Sequence, residues 1–302
     1  MSYQNFSIHP QTKLGTVHLT VSDLERSLHF YSEVLGFNVS QREDGAAWLA
    51  ADRQVPLLEL VERPGARPKP PRTTGLYHFA ILVPGRTDLA RVLNRLVEVQ
   101  YPLQGAADHL VSEALYLADP DGNGIEIYTD RPREAWPWRD GQLQMATDPL
   151  DLAGLLAELG GDPHARSTPS PQTRIGHIHL HVADLRQAED FYCGVLGFDL
   201  VQRYPPSQSG DVGRSSALFV SAGGYHHHIG LNIWAGVGAP PPPPDVVGLR
   251  SYTLCLSDDE ELDRTLDHLK SSGVEVEQEA GDFFLQDPSS NRIRLATSTP
   301  QA

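Results

Sequence analysis

The sequence predicts an α+β protein of four βαβββ modules, arranged as two tandem domains whose mixed sheets curl into cups. Three observations predict it. The segment LERSLHFYSEVLGF at residues 24–37 recurs as LRQAEDFYCGVLGF at 185–198. Each copy follows an alternating run, LGTVHLTVSD in the first half and IGHIHLHVAD in the second. Farther along, ALYLADPDGNGIEIY is echoed by DFFLQDPSSNRIRLA, each after a helical stretch that follows its own short strand. Two related units in each of two related halves make four modules.

The elements of the first module follow from periodicity. Residues 16–21 alternate with period 2 and read as a strand, residues 23–34 have helical spacing, and 38–41, 46–50 and 56–61 read as short strands. Asp23 and Asp184 stand where helix N-caps belong, and Gly36 and Gly197 where the helices end. The expected division is a first domain at 1–140, a linker at 141–173, and a second domain at 174–302. The linker carries a short helix near 150–159 and an exposed stretch, ARSTPSPQTR. The proline run at 240–244 reads as a stiff connection between the third and fourth modules rather than a partner motif.

A chain of 302 residues with 40% hydrophobic content can build more than one core. The formal net charge of -15 argues against nucleic acid and anionic membrane as partners, because phosphate binding needs clustered Lys and Arg. A small-molecule substrate fits better. Cys193 and Cys255 give neither a disulfide framework nor a Cys-rich zinc pattern, which agrees with a reducing cytoplasm. The start, MSYQNFSIHPQTK, lacks a basic and an apolar region, and no run approaches the ~20 apolar residues of a membrane span. A soluble cytoplasmic protein is therefore expected.

Histidines carry the chemistry. In IGHIHLHV the alternation puts His177, His179 and His181 on one face of a strand. A second cluster, His226, His227 and His228, opens the last strand of the third module. His78 lies in the apolar strand YHFAILV, where a buried ring needs a partner. Glu126, in GIEIY, is a carboxylate inside a hydrophobic strand, costly unless paired or metal-bound. His18 and Glu59 occupy comparable strands of the first module and are rivals. Two His and one carboxylate around a metal leave positions open for small molecules.

These segments, with YHFAI, DPDGNGIEIY and GGYHHHIGLN, resemble the vicinal-oxygen-chelate superfamily of glyoxalases, bleomycin-resistance proteins and extradiol dioxygenases. The likeness spans nearly the whole chain and is nearest to the CatE-type catechol 2,3-dioxygenases. It implies a cupped sheet made by two βαβββ modules with a metal inside, Fe(II) or alternatively Mn(II), acting on a small aromatic diol and dioxygen. The family's first ligand follows a Gly in a strand before a helix carrying FY, here Gly176, His177, Val182, Phe191 and Tyr192, which favours His177 over His179. Its second ligand matches His78, and its Glu, ten residues after a Tyr, matches Glu126 after Tyr116. The acid/base His matches His226 or His227, and His109 and Tyr116 match substrate contacts.

Module order departs from the family pattern. Tyr252 stands where the fourth module's His is expected and Arg294 where its Glu is expected. If the second module pairs with the third, His78 and Glu126 meet His177 in one cup, and the first and fourth modules form a metal-free counterpart. The rival is a four-ligand site of His18, Glu59, His78 and Glu126, nearer to glyoxalase I, which would make the protein a metal-dependent lyase or isomerase of a thiol adduct. A metal-free binder of an aromatic compound is the third alternative. A homo-oligomer is left open.

Overall fold

A computed structural model describes residues 6–52, 54–160, 169–205 and 215–297. The linker stretch at 161–168 lies outside the described residues.

Each module has the expected strand, helix and three strands. The first runs Lys13–Val21, Leu24–His29, Asn38–Glu43, Ala46–Ala50 and Pro56–Glu62; the second Gly75–Leu82, Arg86–Glu98, Gly105–Asp108, Ser112–Ala118 and Gly124–Asp130. The third runs Arg174–His181, Leu185–Glu189, Asp199–Tyr204, Ala217–Ser221 and Ile229–Asn232. The fourth runs Gly248–Leu256, Asp259–Ser271, Glu277–Glu279, Asp282–Gln286 and Arg292–Thr297.

The caps fall where the sequence places them. The Asp23 and Asp184 side chains accept from the backbone N–H groups of Arg26 and Gln187, and Gly36 and Gly197 have φ of 87° and 75°. The repeated helices differ from expectation in one respect: each finishes as a π-helical segment, Phe30–Val34 or Asp190–Val195. The buried tyrosine of each segment reaches into the module that follows. Tyr31 donates to Asp119 at 2.9 Å, and Tyr192 to Asp287 at 3.0 Å. Each Asp also accepts from the Asn four residues on, so the repeated DP-x-x-N turn and the FY pair form one tie within each half.

Sheets, by contrast, join modules from different halves. One nine-stranded sheet runs Asp148–Pro149, the second module, then the third; the eight-stranded sheet joins the fourth module to the first. Both junctions are antiparallel pairings of first strands, Gly75–Leu82 with Arg174–His181, and Lys13–Val21 with Gly248–Leu256. The apolar core, including Phe79, Ile81, Ile125, Ile178 and Leu180 from one sheet and Leu19, Leu58 and Leu254 from the other, is continuous. This leaves the alternate residues of the nine-stranded sheet, His78, Glu126, His177 and His179, on its other face.

The linker helix spans Leu152–Ala157, shorter than the 150–159 expected, and starts at an Asp151 cap. The proline run bridges the third and fourth modules, and the Pro240 carbonyl accepts from Thr74 N–H at 2.9 Å. Among the described residues no helix is long and apolar enough to cross a membrane.

Candidate metal centre

Strand register assembles the site. Tyr116 pairs with Glu126, Glu126 with Ala80, and Ala80 with His177, giving one row across four strands. The neighbouring row is Gly124, His78, His179 and Gly230. Ala80 is small enough to let Glu126 and His177 meet over it. The imidazole Nε2 of His177 is 3.1 Å and that of His78 3.0 Å from Glu126 Oε2. These side chains come from both halves of the chain, and their donor atoms all lie within 4.8 Å of one another.

Burial makes this grouping expensive without an ion. Glu126 is 2%, His177 1% and His78 7% exposed. His78 Nε2, though close to Glu126, is not aligned for a hydrogen bond, and His177 Nδ1 is also buried without a partner. Desolvation alone would raise the Glu126 pKa, but the charge and hydrogen bond of His177 and the nearby His78 ring hold it well below the usual carboxylate range. Burial pushes the His177 pKa down to about 4, against the pull of Glu126. An ionised carboxylate and a neutral imidazole are the forms that bind a metal. The donor set suits a metal ion with positions left open.

A cavity of about 400 Å³ opens on this cluster, walled by Tyr77, His78, His109, Tyr116, Glu126, His179, His227 and Trp234 among others. Two hydrogen-bonded relays reach it. In the first, His109 Nδ1 is 2.6 Å from the Ala146 carbonyl and Nε2 is 2.6 Å from the Tyr116 hydroxyl. The carbonyl can only accept, which puts the neutral ring's proton on Nδ1; Nε2 then accepts from Tyr116. Burial, then the Glu126 charge, raises the Tyr116 pKa well above its ordinary value, so the phenol stays protonated.

The second relay starts at Asp130, whose Oδ1 lies 2.8 Å from His226 Nε2, while His226 Nδ1 lies 2.8 Å from His227 Nδ1. The carboxylate assigns the His226 proton to Nε2, so its Nδ1 accepts from His227 Nδ1–H, leaving His227 Nε2 unprotonated. His226 is buried behind the cavity and His227 stands in its wall, so these two candidates have different places. His228 faces elsewhere: its Nδ1 accepts from Ala222 N–H at 3.1 Å, and burial lowers its pKa to about 3.

Asp130 was not legible as part of the site from motif alone, although it continues the alternation of Glu126 and Tyr128. Tyr225 donates to it at 2.9 Å and lies 2.7 Å from the Tyr128 hydroxyl. Gly176 explains itself here, since a Cβ at that position would sit 1.9 Å from the Tyr128 hydroxyl.

The rival cluster is not assembled. His18 and Glu59 are ion-paired with each other in the eight-stranded sheet, and His18 Nε2 is 3.1 Å from Thr253 Oγ1. The four-ligand set of His18, Glu59, His78 and Glu126 is thus split between two sheets. One further expectation is corrected by register. His18 faces Ser251, as His179 faces His78, so Ser251 rather than Tyr252 occupies the His78 position of the fourth module. Tyr252 is core, with its hydroxyl 3.0 Å from that of Tyr192.

Fold and site together define a paired-βαβββ protein with a candidate metal centre. Residues 13–127 and 174–295 match the model of the Glyoxalase/Bleomycin resistance protein/Dioxygenase superfamily, and the chain belongs to that family. Among relatives, it is 51% identical over 284 residues to a catechol-2,3-dioxygenase of Bacillus subtilis (strain 168), covering 93% of this chain and 96% of that one. It is 28% identical over 147 residues to biphenyl-2,3-diol 1,2-dioxygenase 3 of Rhodococcus globerulus, covering 46% of this chain and 75% of that one. Two solved structures share the fold. A Bacillus subtilis protein provisionally described as a dioxygenase superposes with TM-score 0.66 at 14% identity, over 98% of this chain and 87% of that one. Glyoxalase I from Zea mays does so with TM-score 0.54 at 15% identity, over 95% and 92%.

Proposed function

We infer that the protein is an extradiol ring-cleavage dioxygenase of the catechol 2,3-dioxygenase type, an oxidoreductase acting on a small aromatic diol with dioxygen. The observation that carries this reading is the buried His78, Glu126 and His177 cluster opening on a cavity beside two proton-handling relays. The likeness to the Bacillus subtilis catechol-2,3-dioxygenase over nearly the full length of both chains supports it.

His78, Glu126 and His177 would hold Fe(II), with Mn(II) as the alternative this donor set also accepts. When bound, such an ion supplies open positions where diol and dioxygen meet and electron density passes between them. The chain's own groups manage protons. His227 Nε2 takes a proton from a diol hydroxyl as the substrate binds and returns it as the ring opens, while His226 and Asp130 fix the orientation of the His227 ring. Because Tyr116 donates to His109, its oxygen offers a lone pair to the other substrate hydroxyl. Both atoms of dioxygen enter the product, a semialdehyde acid opened beside the diol.

The division into domains at 1–140 and 174–302 belongs to this proposal, supported by the two family matches at 13–127 and 174–295. A cytoplasmic location is supported by the two free cysteines, Cys193 and Cys255.

The test loads the protein anaerobically with iron and adds catechol and oxygen. Uptake of one dioxygen per ring with a yellow product is expected. No oxygen uptake with any catechol overturns the reading.

A further inference from the structure

His179 is unexplained by the metal centre. It shares the strand face of His177, is 4% exposed, and lines the cavity, yet its Nε2 is buried without a hydrogen-bond partner. A buried polar atom left unpaired is costly, and one on a residue that lines a cavity can be completed by a bound molecule. Aromatic rings hold this imidazole in place: Tyr77 at 5.2 Å, Trp234 at 5.4 Å and Phe219 at 5.7 Å between centroids. The strand beside it is also adapted to it. Gly230 pairs with His179, and a Cβ there would lie 2.8 Å from the imidazole ring.

Position by position, His18 is the counterpart of His179 in the other sheet, where Glu59 replaces Gly230. There both ring nitrogens are satisfied, by Glu59 and by Thr253. The chain can therefore satisfy a histidine at this place, and in the cavity it does not.

Resting on the dioxygenase reading above, we propose that His179 is a specificity-determining residue whose Nε2 hydrogen-bonds a neutral polar substituent beside the substrate's diol. Its ring centroid lies 5.0 Å from that of His78, which puts it next to the metal-binding cluster rather than at the far wall. The substituent is neutral because no Lys or Arg is among the described residues lining the cavity, so a carboxylate would be buried without a counter-charge. It is a hydroxyl rather than an alkyl group, since a methyl would leave Nε2 unpaired. A hydroxyl serves either tautomer of the ring, as it both donates and accepts.

The experiment compares pyrogallol with 3-methylcatechol, which differ by a hydroxyl for a methyl of similar size. Wild type should favour pyrogallol by about tenfold in kcat/KM, the size of one well-made hydrogen bond. His179→Leu should remove that ratio while keeping its metal, His179→Asn should restore part of it, and Gly230→Ala should lower it with the histidine still present. Calorimetry of both diols with the anaerobic metal-loaded protein reads the same preference without turnover. If wild type binds pyrogallol preferentially but consumes no oxygen, the dioxygenase reading fails and the subsite stands. An unchanged ratio in active His179→Leu overturns the proposal. So does metal loss in that variant, which would make His179 a ligand, or a raised KM for oxygen alone, which would assign it to dioxygen.

Discussion

The two sheets are built from the same module and differ at a few positions on one face. In the nine-stranded sheet Glu126 sits across from Ala80, with His78 and His177 beside it; in the eight-stranded sheet Arg294 sits across from Thr253. Ser251 stands in for His78, and the repeat aligns Thr16 with His177. Arg294 donates to Asp282 at 2.6 Å, a side-chain cation where the other sheet gathers donors for a metal. Backbone pairing thus builds the cup, and the residue types facing inward decide whether it gathers donors. One duplicated frame carries one cluster of candidate metal donors and one self-satisfied counterpart.

The largest effect expected from breaking this contrast is in the donor set. Glu126→Ala and His177→Ala should each lower metal content and kcat by more than ~100-fold, beyond the usual cost of changing a group behind a ligand. Arg294→Ala should leave both unchanged. Elemental analysis of anaerobically purified proteins reads this; retention of metal in His177→Ala would move the site into the first half. Dialysis of wild type against a chelator should abolish oxygen uptake, and added Fe(II) should restore it.

Within the nine-stranded sheet, His227→Phe should lower kcat ~10²–10⁴-fold, the range of a lost acid/base group. Asp130→Asn keeps the shape but removes the charge that fixes the His226 tautomer, and should lower kcat about tenfold with little change in KM. Steady-state kinetics at saturating oxygen separate these; equal activity of Asp130→Asn and wild type would remove the relay from the mechanism.

Metal-free protein should lose stability as pH falls. His177 titrates near 6.5 when unfolded but at about 4 when folded, because burial disfavours its charge. Its contribution is complete above pH 6.5, declines between there and 4, and amounts to at most ~3 kcal/mol. Urea unfolding of metal-free wild type and His177→Asn between pH 7 and 4.5 should show the shallower slope in the variant. Parallel slopes would discard the assignment.

Gly176→Ala should be destabilising by ~1–3 kcal/mol, because its Cβ would displace the Tyr128 hydroxyl from 1.9 Å. A Cβ at the repeat-equivalent Gly15 would lie 2.5 Å from Cys255 Sγ and 3.2 Å from Thr253 Cβ, so Gly15→Ala should destabilise through that sheet with no change in metal content. Smallest is Glu59→Gln, expected to cost less than ~1 kcal/mol since the carboxylate is partly solvated. That cost should shrink at low pH: the His18 hydrogen bond holds the Glu59 pKa below its ordinary value against burial. The pair's contribution is full above the ordinary carboxylate range and disappears as pH falls through the lowered value. Thermal melts at pH 7 and 3.5 measure both.

Much of this was legible in advance because it is local. Alternation put His177 and His179 on one face, Asp23 and Asp184 marked helix starts, and the duplicated segments revealed the modules. Glu126 stood out because a carboxylate in GIEIY must answer for its burial. Less legible were features set by partners distant in sequence. Asp130 reads as a polar strand end until His226 is found 2.8 Å away, and Gly124 as an ordinary residue of the Glu126 strand until a Cβ there is seen to strike the Tyr77 carbonyl. The π-helical ends of the repeated helices have no periodicity signature, since one wider turn leaves the apolar spacing nearly intact.

The sequence by itself determined the modules, their caps and the inventory of donors, because strand period, helix period and turn chemistry act over a few residues. Tertiary structure decided which modules share a sheet. Antiparallel pairing of Gly75–Leu82 with Arg174–His181 brought His78 and Glu126 to His177, and the matching pairing of Lys13–Val21 with Gly248–Leu256 carried His18 and Glu59 away. Edge pairing satisfies backbone hydrogen bonds that are alike on every first strand, so the choice of partner rests on the packing of the whole core, a sum over distant contacts that no single segment encodes.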